Sequence, residues 1–303
     1  MKNQQTFAPV VLFVYARADH TKRTLNALAA NPEAKETDLI IYADAARHDK
    51  DAAAVQAVRD VISRISGFKN VTLQLREHNV GLAQNIIEGV THVCQQYGRV
   101  IVLEDDIVTS PAFLGFMNAA LDKYQAEPKV WHISGWNYPI SSEQLLPETF
   151  LWRTMNCWGW ATWADRWQHF KKSPATLVEN WSAADIERFN LDGAYDFWSQ
   201  VTANHKGKLN TWAIFWYTTI FVHQGLCLNP TRSFVANIGN DGSGENCGAK
   251  DIYKTRLATI FHQQWPTKLT ENVTVVEIIR AFYKSLKPSL LRRILGRIKR
   301  VFI

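Results

Sequence analysis

Four short apolar runs rich in β-branched residues recur at nearly equal intervals in the first third of the chain. They begin at Val10, Leu39, Val71 and Val100, which are 29, 32 and 29 residues apart. This spacing leaves room for one helix between successive strands and is typical of βαβ units. Strands connected in this way form a parallel sheet with right-handed crossovers. The pattern therefore predicts an α/β fold with a mostly parallel central sheet flanked by helices.

The segments between these runs have the apolar spacing of helices. We expect helices over residues 21–30, with Asp19 as a possible N-cap, over 51–65 and over 81–97. A further helix is predicted to begin with Ser110 as its cap and Pro111 in its first turn, and a fifth strand is predicted over 130–134.

Polar side chains follow the predicted strands where each of them ends. Arg17 follows the first strand, Asp44 the second, Asn79 the third, and Glu104, Asp105 and Asp106 follow the fourth. Open α/β sheets bind ligands at this edge. Residues 16–20 lack the glycine pattern of a dinucleotide-binding turn and the lysine of a P-loop, which argues against both classes of enzyme.

Glu104, Asp105 and Asp106, called the acid cluster below, are the strongest chemical signal in the chain. Three consecutive carboxylates after a buried strand repel one another, so a positive charge should offset them. Mg²⁺ or Mn²⁺ shared with a substrate diphosphate is one such arrangement. A solvated turn that caps the next helix is the structural alternative.

The second half of the chain is rich in tryptophan: ten of the twelve Trp residues lie between positions 136 and 248. Indole rings can form a hydrophobic core, or they can offer a face to the apolar side of a sugar. For any single ring the core is the more common role. A cluster of this density beside a carboxylate edge nevertheless predicts one or two sugar platforms.

Charge is distributed unevenly, because eight basic residues and no acid follow Glu277. From residue 290 onward, apolar and basic residues alternate with helical spacing, which predicts a basic amphipathic helix on an anionic membrane surface. A dimerisation helix is the alternative; a nucleic-acid partner is not expected, because no basic patch continues the segment. The N-terminus has no signal-peptide pattern, so we expect a cytoplasmic protein, peripheral on the inner face of the membrane.

The stretch 100–114, Val-Ile-Val-Leu-Glu-Asp-Asp-Ile-Val-Thr-Ser-Pro-Ala-Phe-Leu, resembles the Glu-Asp-Asp motif of inverting GT-A glycosyltransferases. The related family is that of the N-acetylglucosaminyltransferase that starts N-glycan branching. The resemblance covers roughly residues 8–248, and the segment 237–244 with Cys247 is similar to bacterial members that act on cell-surface polysaccharides. Further matching positions are Arg17, Asp44, 133–137, 152–154 and 157–160.

The resemblance implies a role for each matching residue. Asp106 would coordinate Mn²⁺ or Mg²⁺, Glu104 and Asp105 would contact the sugar and ribose, and Arg17 and Asp44 would hold the nucleotide. Asn79 fits either a nucleotide-sugar turn or an ordinary helix start. The residues expected on the acceptor side are Trp136, Arg153, Trp158, Trp160 and Trp212.

The chain departs from the family pattern at the catalytic base. The family places an aspartate between two tryptophans, whereas the stretch 211–216 has Ala213 there. An inverting transfer needs a carboxylate to accept the proton of the acceptor hydroxyl. Asp241 is the first candidate and Asp196 the second, although the sequence around Asp241 also suits a tight turn.

These observations predict a metal-dependent glycosyltransferase with one domain in two halves, followed by a tail. Residues 1–135 would bind a nucleotide diphosphate sugar, 136–270 a glycan or lipid-linked acceptor, and 271–303 an anionic membrane surface. A non-catalytic glycan-binding protein and a sugar nucleotidyltransferase are the alternatives. The second of these should carry a glycine-rich basic loop after the first strand, which this chain lacks.

Overall fold

A computed structural model describes residues 7–140, 146–241 and 252–286. Its first half alternates strands and helices, as the apolar runs predicted. Each predicted strand is present, and α3 covers almost all of its predicted range. In chain order the elements are β1 (Val10–Val14), α1 (Ala18–Ala29), β2 (Asp38–Ala43), α2 (Ala52–Ile62), β3 (Asn70–Leu75), α3 (Leu82–Tyr97) and β4 (Arg99–Glu104).

The second half begins with a short strand and a helix and then becomes mainly helical, with strands that complete the sheet. The fifth predicted strand, β6, has the predicted bounds. The elements are β5 (Ile107–Thr109), α4 (Phe113–Tyr124), β6 (Val130–Ser134), β7 (Thr149–Trp152), β8 (Trp160–Trp163), α5 (Ala164–Trp167), α6 (Pro174–Asn180), α7 (Ala183–Phe189), α8 (Trp198–His205), α9 (Ala213–Val222), β9 (Leu226–Pro230), β10 (Val235–Asn237) and α10 (Val273–Leu286).

The described residues form an eight-stranded sheet in the order β3-β2-β1-β4-β8-β6-β9-β7. β1 pairs in parallel with β2 and β4, β2 with β3, and β6 with β9, whereas β8 and β7 run antiparallel to their neighbours. The expected α/β class with a mostly parallel central sheet is confirmed. A separate two-stranded antiparallel sheet joins β5 to β10.

Two predicted helix starts are corrected by the structure. α1 begins at Ala18 with Arg17 in the N-cap position, so Asp19 lies inside the first turn rather than at the cap. α4 begins at Phe113, whose backbone N–H donates to the carbonyl oxygen of Ser110 at 3.2 Å. Ser110 therefore lies in the turn before α4, whereas Asp19 lies within α1 itself.

The tryptophans of the second half form much of the core. Trp152, Trp160 and Trp216 are among the largest fully buried side chains. Trp160 stacks on Trp212 with ring centroids 5.2 Å apart. Burial of aromatic surface on this scale is a major source of stabilisation, and the rings replace the aliphatic side chains that are sparse here.

The start of the predicted C-terminal tail belongs to the folded body. Val275 and Ile279 of α10 are fully buried, and Tyr283 hydrogen-bonds through its hydroxyl to Tyr138. The predicted boundary at 271 is therefore corrected, because residues 273–286 bury an apolar face against the protein. The basic amphipathic segment from residue 290 lies outside the described residues. Across the described part of the chain, no helix has both the length and the hydrophobicity required to cross a membrane.

Candidate active site

The candidate site lies where β1 and β4, which are hydrogen-bonded neighbours, reach their carboxyl ends. β4 ends at Glu104, and the next two residues are the aspartates of the acid cluster. Arg17 lies across them: its Nη2 donates to Asp105 and, at 2.8 Å, to Oδ2 of Asp106, while its Nε lies 3.3 Å from Asp105 Oδ2. The sheet therefore brings Arg17 close to the acid cluster, as the sequence predicted.

One guanidinium faces three acidic side chains, and the pKa values reflect this imbalance. Burial, with help from the charges of Asp106 and Asp105, raises the pKa of Glu104 to about 8. Burial also raises the pKa of Asp105, although Arg17 opposes that shift. Burial alone would lower the pKa of Arg17, but the two aspartates raise it above its ordinary value. At neutral pH Glu104 therefore keeps its proton, and the negative charge of the cluster lies on two aspartates that share one arginine.

The small sheet brings a distant part of the chain onto the acid cluster. The pairing of β5 with β10 is followed by a hydrogen bond of 2.9 Å from the Ile238 N–H to the carbonyl oxygen of Asp106. A Cβ atom added to Gly239 would lie 2.2 Å from Asp106 Oδ2 and 3.0 Å from Arg17 Nη1. Only glycine fits here without displacing the ion pair.

Asp241, the first candidate for the catalytic base, lies at the edge of the same site. Its Oδ2 is 3.2 Å from Nε2 of His20, which lies one turn of α1 beyond Arg17. Roughly half of the Asp241 side chain is exposed, so solvent or a substrate can reach it. The structure therefore places a carboxylate near the acid cluster, although its role as a base stays a prediction.

Asp44 and Asn79 join two loops at the neighbouring strand ends. Asp44 accepts backbone N–H groups from Ala45 at 2.9 Å, Val80 at 3.0 Å and Gly81 at 2.9 Å. Asn79 donates to the carbonyl oxygen of Ala45 at 2.8 Å. Gly81 has a φ of 77°, in the left-handed region that favours glycine, and α3 starts directly after it. Both residues shape the loops, and their contact with a nucleotide stays a prediction.

The family model of the GNT-I family matches residues 1–188 of the chain. The chain belongs to the GNT-I family. The matched range includes Arg17, Asp44 and the acid cluster, and it ends before Ala213 and Asp241. The expected glycosyltransferase class is confirmed by this membership, and the described sheet has the expected mostly parallel α/β architecture.

Among the solved structures that the chain resembles are glycosyltransferases of low sequence identity. The mannosyltransferase PcManGT from Pyrobaculum calidifontis, in complex with GDP-Man and Mn²⁺, is 12% identical over 73% of this chain and 70% of its own, with a TM-score of 0.40. Mouse xyloside xylosyltransferase 1 is 10% identical over 72% and 82%, with a TM-score of 0.36. An active-site mutant of LgtC is 9% identical over 70% of both chains, with a TM-score of 0.35. No curated protein matches the chain.

Three of the rings predicted as acceptor platforms are buried in this GNT-I family member. The exposed fractions are 3% for Trp136, 0% for Trp160 and 4% for Trp212. A ring without an accessible face cannot stack on a sugar, so the structure corrects the platform prediction for these three. Trp158 is partly exposed and packs edge-on against Trp136 at 4.7 Å. Its platform role stays a prediction.

Arg153 and Asp196 have structural partners instead of contacts with the acid cluster. Arg153 donates to Glu271 at 2.9 Å and to Asp192 at 3.1 Å, and so connects the end of β7 to two loops. Asp196 accepts the backbone N–H of Ser199 at 3.1 Å at the start of α8. No hydrogen bond or ion pair within the described ranges joins either residue to the acid cluster.

Sequence reasoning missed three residues that build the site. Thr24 donates its hydroxyl to the carbonyl oxygen of Asp105 at 2.8 Å, His20 contacts Asp241, and Gly239 covers Asp106. Helical spacing offered a signal for His20 and Thr24, because they lie three and seven residues after Arg17. Gly239 lies in the segment 237–244 named above, but its contact with Asp106 had no signal, because the two residues are more than a hundred positions apart in the sequence.

Proposed function

We propose that the chain transfers a sugar from a nucleotide diphosphate sugar to a hydroxyl of a surface glycan or lipid-linked oligosaccharide, with inversion and with a divalent cation. The observation that carries this proposal is the acid cluster, which meets a single arginine at the ligand-binding edge of the sheet. Glycosyltransferase membership supplies the reaction class. The uncompensated charge supports the requirement for a cation.

The donor atoms fit Mn²⁺ or Mg²⁺. Carboxylate oxygens are the ligands that hard divalent cations prefer, and such ions share one or two carboxylates with substrate phosphates instead of filling a cage of protein ligands. No group of three or more His, Cys, Asp or Glu side chains in the described ranges is arranged to hold an ion. Asp106 would hold the cation, and Asp105 would stay paired with Arg17. When bound, the cation would neutralise charge on the leaving diphosphate.

The other residues of the site would each have a separate role. Arg17 fixes the orientation of both aspartates, and Glu104 lies at the strand end where the donor sugar and ribose would approach. The loops joined by Asp44 and Asn79 would border the nucleotide. Asp241 would accept the proton of the acceptor hydroxyl, with His20 holding its side chain. Trp158 would border the acceptor.

We also propose that the basic segment from residue 290 holds the enzyme on an anionic membrane surface, on the cytoplasmic face of a bacterial membrane. Its charges and apolar spacing support this proposal. Lipid-linked acceptors are concentrated there. Deleting residues 288–303 should release the protein from anionic vesicles in a sedimentation assay. Unchanged sedimentation would remove this part of the proposal.

The proposed reaction is tested by a thermal-shift screen of nucleotide diphosphate sugars with and without Mn²⁺. A ligand that binds only the folded state raises the melting temperature, and the rise grows with the ratio of ligand concentration to Kd. We expect one donor class to raise it in the presence of Mn²⁺, and the Asp106→Ala variant to lose that shift. A donor-dependent shift that is identical without Mn²⁺ and in Asp106→Ala would contradict the proposal.

A glycan-binding protein without catalysis is the second candidate, because Ala213 stands where the family places its aspartate. The two functions differ in one measurement. An enzyme slowly hydrolyses or transfers from the donor that it binds, and Asp241→Asn lowers that rate. A binding protein retains glycan affinity in Asp106→Ala and shows no turnover of any donor with Mn²⁺.

A further inference from the structure

Two histidines lie side by side near the amino end of β6, whereas the acid cluster lies at the carboxyl end of β4. His223 follows the last residue of α9, and His169 follows the short helix α5. Their ring centroids are 4.9 Å apart. Both pack on Trp131 at the start of β6, His223 at 4.6 Å and His169 at 5.6 Å. Because β6 runs parallel to β4, the amino end of β6 faces away from the candidate active site.

Both imidazoles line the same surface depression, which has a volume of about 140 Å³. This volume accommodates a cation with several water molecules, because each water takes roughly 30 Å³ in the liquid. The hydroxyl-bearing residues Ser173 and Thr176 lie on its wall. The hydroxyls of Thr218 and Thr219, which also line it, donate to the carbonyl oxygen of Phe215.

The charges around the depression select the kind of ligand. No carboxylate is among its lining residues in the described part of the chain, and Lys171 is its one charged side chain. Burial, together with the neighbouring His169, lowers the pKa of His223, which favours the neutral imidazole. Neutral imidazole is the form that binds transition metals, whereas Mg²⁺, Ca²⁺ and Mn²⁺ prefer oxygen ligands.

The ring nitrogens of this pair are available for a ligand. Neither ring nitrogen of His169 or His223 forms a hydrogen bond or ion pair with another described residue, whereas their backbone N–H groups donate to Arg166 and Thr219. The buried His132 differs, because its Nε2 lies 3.0 Å from the carbonyl oxygen of Asn156 and its Nδ1 accepts the Trp216 indole N–H at 3.2 Å. The pair is therefore held by ring packing and not by its nitrogens.

We propose that His169 and His223 form a transition-metal site, separate from the acid cluster, that takes Ni²⁺, Cu²⁺ or Zn²⁺ through two imidazole nitrogens and water. Both rings pack on Trp131 and lie 4.9 Å from each other, so one ion can contact both imidazoles. The site joins the end of α9 to the segment after α5. A bound ion should accordingly stabilise the folded state.

The proposal is tested by titrating the untagged full-length protein with Ni²⁺ and with Mn²⁺ at pH 7.5. We expect His169→Ala and His223→Ala each to weaken Ni²⁺ binding at least about tenfold, as the loss of one of two ligands requires, and to leave Mn²⁺ binding unchanged. His205→Ala, which removes an exposed histidine at the end of α8, is the matched control and should bind Ni²⁺ like the wild type. Asp106→Ala should also retain the Ni²⁺ site.

Electron paramagnetic resonance of bound Cu²⁺ gives a second readout that does not depend on affinity. Cu²⁺ at the wild-type site should show hyperfine structure from two imidazole nitrogens, and each single histidine variant should show one at most. The proposal is overturned if both variants bind Ni²⁺ as tightly as the wild type, or if the copper spectrum is unchanged in them. These variants lie outside the proposed active site, so the outcome does not depend on the glycosyltransferase proposal.

Discussion

The acid cluster and the tryptophans of the second half look alike in the sequence, as dense groups of one residue type, but the structure uses them in opposite ways. The acids converge at a sheet edge, balanced by one arginine. Trp136, Trp160 and Trp212 are buried almost completely. Clustered carboxylates are costly unless a ligand or cation offsets them, whereas clustered aromatic rings stabilise a fold by themselves. Residue density therefore indicates a site only where the residues repel one another.

The largest effect should come from the tryptophans. Trp160→Ala should lower the free energy of unfolding by about 3–5 kcal/mol, because it leaves a large cavity in a packed core. Trp158→Ala, at a partly exposed position, should lower it by less than about 2 kcal/mol. Denaturant unfolding measures both. Equal losses for the two variants would break the comparison, because a core ring and an edge ring would then contribute alike.

The next effect concerns the loops beside the acid cluster. Asp44→Ala should lower the free energy of unfolding by about 1–3 kcal/mol, because it leaves the partly buried backbone N–H groups of residues 80 and 81 without an acceptor. Asp60→Ala, at an exposed position on α2, is the control and should change it by less than about 0.5 kcal/mol. A loss in Asp44→Ala no larger than in the control would contradict the structural role of Asp44.

Gly239→Ala tests the role of the acid cluster in this comparison. The added Cβ must displace Asp106 or Arg17, so Mn²⁺ affinity in the presence of a nucleoside diphosphate should fall about 10–100-fold, the usual effect of disturbing groups that support a metal ligand. Gly115→Ala is the matched control, because its Cβ would meet only the movable side chain of Glu33. Isothermal titration calorimetry measures the Mn²⁺ affinity of both variants. An unchanged affinity in Gly239→Ala would contradict the prediction, because the backbone at residue 239 would then be able to move away from Asp106.

The last effect is a pH dependence from Glu104. The pKa of this group in the folded state is about 8, above its ordinary value of 4.5, so the folded state binds the proton more tightly. Stability from this group is present below pH 4.5 and is lost as the pH rises through 8, with a slope of at most about 1.4 kcal/mol per pH unit for one proton. Glu104→Gln should flatten the profile across that window. An unchanged slope in this variant would assign the titration to another group.

Much of the fold could be predicted from the sequence, because burial on both faces of a parallel sheet requires apolar runs and those runs are visible. The positions of Arg17 and the acid cluster followed from the same runs, since parallel strands end at one edge. The burial of the tryptophans could not be predicted, because an indole ring suits a core and a sugar platform equally well. The contact of Gly239 with Asp106 depends on the pairing of β5 with β10, two short strands far apart in the chain.

The central claim is that the acid cluster binds a cation together with a diphosphate. The most direct test is electron paramagnetic resonance, which measures free Mn²⁺. The wild-type protein is mixed with Mn²⁺ and titrated with UDP or GDP. We expect one Mn²⁺ per chain to be bound, more tightly with one nucleotide than without, and Asp106→Asn to lose that binding. Nucleotide binding that is indifferent to Mn²⁺, or a bound ion that Asp106→Asn retains, would contradict the claim.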